Sequence, residues 1–183
     1  MRVKDAEDSI YRDLCALGWR PYLVAMWLLC DELRSLYADQ FSGEDRPLVE
    51  STLDLVRQAA TAGDLADVKK QAGKLARAWR RLIRKKQDEG VPFGLMDTWA
   101  TFDALAQELA GTSEEYYGSE FVISPAILRW REPEHPGLLH VNADLRIDDA
   151  SPMAQTLIKF AGIIRKVSEA QGPGWDPVSL LNE

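Results

Sequence analysis

Apolar side chains recur at helical intervals along most of the chain. Over residues 6–17, Ile10, Leu14 and Leu17 mark one face and Gly18 stands where a helix would stop. Pro21 suits the first turn of a second helix over 20–40. The run from Leu23 to Cys30 surrounds its first half before Leu33, Leu36 and Tyr37 narrow to a stripe, which predicts a central buried helix. The turn Ser42-Gly43-Glu44-Asp45-Arg46-Pro47 opens a third helix over 46–62, with Asp45 as expected cap and Pro47 in the first turn. Its face carries Leu48, Thr52, Leu53, Val56 and Ala59. Gly63 ends it, and Asp64 can cap a fourth helix over 64–86 whose Leu65, Val68, Ala72, Leu75, Ala76, Trp79, Leu82 and Ile83 share one side. A fifth helix over 97–110 presents Trp99, Phe102, Leu105, Ala106 and Leu109 and stops at Gly111. Ser151-Pro152 opens the last, over 152–170, with Met153, Leu157, Phe160, Ala161, Ile164 and Val167 on its stripe.

Residues 112–150 break the pattern. Pro125, Pro133, Pro136, Gly118 and Gly137 exclude one long helix, and the best extended candidates are 121–124 and the alternating stretch Leu138–Ile147. The expectation is an all-α, compact bundle of about six helices in one domain over 1–183, with an irregular insertion at 112–150 that holds at most a small β-hairpin. The expected core is Leu28, Leu29, Leu33, Leu53, Val56, Leu75, Trp79, Leu82, Phe102, Leu105, Leu157, Phe160 and Ile164.

Composition narrows the class. The 183 residues are 46% hydrophobic and 28% charged, which excludes disordered and collagenous chains. No apolar run approaches the roughly 20 residues that cross a bilayer, and the first residues lack a signal-peptide segment, so a cytoplasmic protein without membrane attachment is expected. Two cysteines, Cys15 and Cys30, fit a reducing compartment and sit among apolar neighbours as small hydrophobes.

Charge changes the picture more. Residues 1–67 carry 7 Lys/Arg and 13 Asp/Glu, residues 68–86 carry 9 and none, and residues 87–183 carry 6 and 16, giving −6, +9 and −10 within a net −7. On the fourth helix Lys70, Lys74, Arg77, Arg81 and Arg84 fall within about 80° of one another, opposite the apolar side. Such a face can meet an acidic protein or neutralise nucleic-acid phosphates; it can also lie solvated, or against the acidic remainder of its own fold. The acidic majority of the chain disfavours a polyanion, and Trp79 and Trp99 belong to apolar stripes rather than to a stacking platform.

Catalytic signals are weak. His135 and His140, near Glu132 and Glu134, are the candidate acid/base groups of a small hydrolase or transferase built on 112–150, but their spacing completes no metal set. The pairs Asp31-Glu32, Glu114-Glu115 and Asp148-Asp149 read as solvated charge or caps. No nucleophile elbow, phosphate loop or zincin motif is present, so no enzyme, cofactor or metal is expected.

Trp27-Leu28-Leu29-Cys30-Asp31-Glu32, then Gly43-Glu44-Asp45-Arg46-Pro47, Leu55-Val56-Arg57 and Ala62-Gly63-Asp64, resemble the pattern of small α-helical immunity proteins of bacterial polymorphic-toxin systems, in which a Trp/Cys-bearing helix is followed by an acidic-Asp-Arg-Pro turn and another helix. The resemblance spans residues 24–64. It implies a cytoplasmic, non-enzymatic protein that binds and blocks a cognate toxin, and it singles out no contact residue. A nucleic-acid-binding or regulatory adaptor working through helix 64–86 is the alternative. Spacing alone also sets Arg46 and Arg57 on similar faces, where they could pair with Asp31 or Glu32.

Overall fold

A computed structural model describes residues 1–131, 145–172 and 174–181. Among them the chain forms eight α-helices: α1 (Val3–Cys15), α2 (Trp19–Leu36), α3 (Arg46–Thr61), α4 (Ala66–Lys86), α5 (Phe93–Ala110), α6 (Ile123–Arg131), α7 (Pro152–Ala170) and α8 (Pro177–Leu181). A single 3-10 turn, Tyr117–Glu120, precedes α6. The all-helical bundle follows the sequence reading; the helix count does not, because α6 and α8 escaped it.

Two helices form the centre rather than one. In α2, Tyr22 to Met26, Leu29, Cys30 and Leu33 are buried. In α5 twelve of 18 residues are buried, including Thr98, Thr101, Asp103 and Glu108. The polar residues are accommodated locally: Thr98 donates to the Gly94 carbonyl at 2.7 Å, and Thr101 to the carbonyls of Asp97 at 2.8 Å and Phe121 at 3.1 Å. α4 makes its most extensive packing against α5, α3 packs on both α2 and α4, and α7 closes the bundle over α1, α2 and α6. Trp79 of α4 is fully buried, stacked on Phe102 with ring centroids 5.7 Å apart, and its indole N–H donates to Thr52 of α3 at 3.0 Å. Of the expected core, Leu28 and Leu75 are only half-buried and the remainder is buried.

Several local expectations are corrected. Residues 121–124 are not extended: Ile123 begins α6, because Pro125 falls in the first helical turn, where its missing N–H has no intrahelical acceptor to satisfy. Ile123, Ala126 and Ile127 then bury one face. Leu145–Ile147 pair with the chain start rather than with a hairpin mate: Arg2 and Arg146 form an isolated antiparallel bridge, Val3 N–H donates to Leu145 O, and Ile147 N–H to Met1 O, each at 3.0 Å. That bridge is also why α1 begins at Val3. The rest of the predicted hairpin, with His135 and His140, lies outside the described residues.

Asp45 does not cap α3 with its side chain. It is fully buried, accepting from the Trp99 indole N–H at 3.0 Å and the Ser42 hydroxyl at 2.8 Å, and so ties the turn before α3 to α5. Arg46 does not reach Asp31 or Glu32 either; it donates to the carbonyls of Phe41 and Ala38, both at 3.2 Å, closing the end of α2. Asp31 pairs instead with Arg34 at 2.5 Å, and Glu32 with Lys159 of α7 at 2.6 Å. Gly18 begins α2 rather than ending α1. Ser151 caps α7 as the sequence predicts, accepting from Ala154 N–H at 3.2 Å. By contrast, α4 begins two residues later than expected, with Leu65 at its N-cap position and Asp64 one residue outside, accepting from Ala66 N–H at 2.9 Å.

Candidate functional site

The exposed side of α4 carries the site. Val68, Ala72, Ala76, Trp79 and Leu82 are buried along its other side, which fixes the helix's rotation about its axis. Lys70, Lys74, Arg77, Arg81 and Arg84 are thereby all exposed on one surface. From Lys70 to Arg84 the helix rises roughly 21 Å. The sequence reading left out Lys69 and Arg80, which are exposed as well. Arg80 follows Arg77 by three residues and precedes Arg84 by four, so helical periodicity alone could have added it.

The nine cations divide into two groups. At the C-terminal end Lys85 pairs with Glu44 at 2.6 Å and Lys86 with Glu89 at 2.6 Å. The Lys85 ammonium holds the Glu44 carboxyl below its ordinary range, and Glu89 holds Lys86 above its own. Among the described residues, Lys69, Lys70, Lys74, Arg77, Arg80, Arg81 and Arg84 make no ion pair within 4.0 Å. The described acidic residues therefore do not cover this face. Arg77, Arg80, Arg81 and Arg84 line a shallow surface groove of about 350 Å³. The Nε atoms of Arg80 and Arg81 each donate at 3.2 Å to the carbonyl four residues back, which leaves their terminal nitrogens available as a forked donor set.

Like charges at these spacings cost roughly 0.2–0.5 kcal/mol per i,i+4 pair in a helix, and Lys70/Lys74, Arg77/Arg81 and Arg80/Arg84 are three such pairs. An anionic partner would convert that repulsion into attraction. Chemically the face can bind carboxylates or phosphates; it holds no general base and no nucleophile.

Other chemistry-bearing side chains are dispersed. Cys30 is buried and its thiol is pushed far up by burial, with Asp31 adding to the effect. Cys15, half-buried on α1, lies 3.7 Å from the Ser119 hydroxyl. Asp148 accepts from Ala150 N–H at 2.9 Å, and Asp149 pairs with the amino group of Met1 at 2.9 Å. Two buried carboxylates on α5 went unnoticed in the sequence. Burial raises Asp103 to about 6, against the Arg80 charge and a 2.9 Å bond from Gln107 that pull it down. Burial likewise raises Glu108 to about 7, against bonds from Gly118 N–H, the Tyr22 hydroxyl and Tyr116 N–H. Nothing in an isolated Asp or Glu on an apolar stripe announces this; the signal available is that both fall on the broad buried arc of a helix whose other positions are mostly apolar.

Among the described residues no group of three or more His, Cys, Asp or Glu could hold a metal ion, and no helix is long and apolar enough to cross a membrane. No family model, curated protein or solved structure matches the chain.

Proposed function

We propose that the protein is a non-enzymatic cytoplasmic binding protein, an immunity-type inhibitor that blocks a cognate toxin, and that it grips an acidic face of that partner with Lys70, Lys74, Arg77, Arg81 and Arg84. The observation that carries the contact is the row of exposed cations on α4 without ion-pair partners among the described residues. The turn that carries the resemblance to immunity proteins spends its polar groups inside the fold, Asp45 on Trp99 and Arg46 on the end of α2. It anchors the bundle, and α4 is the face left to bind.

Nucleic acid is the second reading, favoured by the four-arginine groove, since guanidinium forks suit phosphate. The buried indoles of Trp79 and Trp99 offer no surface for base stacking, and the acidic bulk of the chain repels a polyanion. The test is affinity capture with the tagged native chain beside a Lys70→Gln/Lys74→Gln/Arg77→Gln/Arg81→Gln/Arg84→Gln variant. Recovery of one stoichiometric acidic protein that the variant fails to retain, and whose toxicity the native chain suppresses in cells, is the expected result. Recovery of RNA or DNA in place of a protein would overturn it in favour of the second reading. Equal retention by both chains would remove α4 as the contact face.

A further inference from the structure

The described residues hold a second site, remote in chemistry from the arginine face. A cavity of about 270 Å³ opens between the start of α2, the start of α4, the end of α5 and the loop that follows, and Trp19, Val68, Lys69, Glu108, Ser113 and Glu115 are among its walls. Its features are not those of idle packing. Glu108 is only 6% exposed, yet it accepts from the Tyr22 hydroxyl at 3.0 Å, from Gly118 N–H at 3.2 Å, and from Tyr116 N–H in a short bond. Those three donors leave one of a carboxylate's roughly four acceptor sites unclaimed. The Ser113 hydroxyl oxygen, also on the wall, is buried without any hydrogen-bond partner.

The loop is shaped to keep Glu108 in place. Tyr116 has φ 66°, the only non-glycine residue in the left-handed region among those described, and that conformation aims its N–H at the carboxylate. A side chain in this region is strained, and residues held so cluster at binding sites. Its ring makes edge contacts with Tyr22 at 4.7 Å and Trp19 at 6.4 Å, and its hydroxyl donates to Leu17 O at 2.8 Å. At Gly118 a Cβ would meet Leu105 at 2.9 Å and Glu108 Oε2 at 3.2 Å, so any larger residue would push the carboxylate or Leu105 from its place.

We infer that this cavity binds a small organic monocation, a primary ammonium compound, with Glu108 and Ser113 accepting its N–H donors and Trp19 walling its alkyl chain. An ammonium offers three donors and no acceptor, which matches the unclaimed acceptor site on Glu108 and the lone pairs of the Ser113 hydroxyl. Glu108 and Glu115 against Lys69 give the cavity walls one excess negative charge when both carboxylates are ionised, enough for a single positive charge. The volume lies just below the range for drug-sized ligands, which suits a molecule of a few heavy atoms. The titratable groups around Glu108 are Tyr22 from α2, Lys69 from α4, Glu115 and Tyr116 from the loop, and Cys15 behind Tyr116 on α1.

Burial holds Glu108 near 7, so close to neutrality part of the population carries a proton there. Seating a cation favours the carboxylate, and that proton leaves to solvent as the ammonium enters with its own three protons intact. The inference does not depend on the function assigned to the outer face of α4.

The experiment is isothermal titration calorimetry of the whole chain at pH 7 with n-propylammonium chloride, and with n-propanol as neutral isostere, in two buffers of different ionisation enthalpy. Expected are saturable 1:1 binding of the amine with a Kd of about 1 mM or tighter, weaker binding of the alcohol, and an apparent enthalpy that depends on the buffer through proton release. Glu108→Gln should weaken the amine at least tenfold and abolish the buffer dependence. Ser113→Ala, which removes no intramolecular bond and so preserves the fold, should weaken it by roughly 2- to 13-fold, the range one net hydrogen bond supplies. Amine and alcohol binding equally, absence of saturation by ~10 mM amine, or native affinity in both variants would each overturn the inference.

Discussion

Asp45 looks, in the sequence, like a helix cap beside Pro47, and the local chemistry supports that reading. The side chain instead crosses to Trp99, 54 residues on, because the buried indole needs an acceptor and Asp45 is fully buried beside it. A choice between a near N–H and a distant one is decided by tertiary packing, so no window of sequence contains it. Asp45→Ala should therefore act as the loss of a buried partner rather than of a cap, costing about 1–3 kcal/mol in urea denaturation. Asp45→Asn, which still offers an oxygen to Trp99, should recover most of it. Asp103 and Glu108 make a second residue-scale prediction. Burial raises both above their unfolded values, to about 6 and about 7. As pH rises from 4, the unfolded chain ionises these groups first while the folded chain keeps their protons, so the folded state binds more protons and stability falls with pH. Their contribution is complete below the unfolded values and lost on passing 6 and 7. The urea midpoint of the native chain should decline between pH 5 and pH 8 relative to that of an Asp103→Asn/Glu108→Gln variant, whose profile lacks these two titrations. Parallel profiles for the two chains would contradict the assignment.

At the scale of elements, strong periodicity was legible and short or wholly buried helices were not. α4 could be read because its two sides differ so sharply. The periodicity of α5 is legible from residue 97 onward but not in its first turn, since Gly90, Pro92 and Gly94 look like loop punctuation. Gly94 is there because α5 passes Tyr37 at the end of α2: a Cβ at this position would overlap the Tyr37 hydroxyl and approach Leu128 Cβ to 3.2 Å. Tyr37 also donates to Pro125 O at 2.7 Å, so α2, α5 and α6 meet at that one point. Alanine is the better helix former by about 1 kcal/mol, yet Gly94→Ala should destabilise by about 1–3 kcal/mol through overpacking, measurable as a lowered midpoint of thermal unfolding. α6 was missed for a related reason, Pro125 reading as a breaker when it occupies a first turn. The docking of α4 makes its own prediction. Trp79→Ala removes a fully buried ring and its bond to Thr52, and should cost about 3–5 kcal/mol in chemical denaturation.

Across the whole molecule, charge is segregated: residues 68–86 hold nine of the 22 basic residues, while residues 1–67 and 87–183 carry −6 and −10. That division was plain in the sequence. What the sequence left open was whether the acidic segments fold back over the cations, since charge counts carry no geometry. The bundle answers through the apolar stripe: burying Val68, Ala72, Ala76, Trp79 and Leu82 turns the cations outward, and among the described residues only Lys85 and Lys86 at the helix end form ion pairs, with Arg80 sensed at longer range by Asp103. A molecule with one positive face on an acidic body orients a partner before contact, attracting an acidic patch to α4 and repelling it elsewhere. Such steering acts over distances that salt shortens, from a Debye length of about 10 Å at 0.1 M to about 3 Å at 1 M. For the partner proposed above, the association rate constant should fall steeply as salt is raised across that range, while the dissociation rate constant changes less. Neutralising Lys70, Lys74, Arg77, Arg81 and Arg84 should lower the association rate at low salt and flatten its salt dependence. It should leave the thermal midpoint unchanged or slightly raised, because the five side chains make no ion pair among the described residues and neutralising them relieves three like-charge pairs of roughly 0.2–0.5 kcal/mol each. Stopped-flow association measured against ionic strength reads both effects. An association rate that ignores salt in the native chain would separate this face from partner recognition.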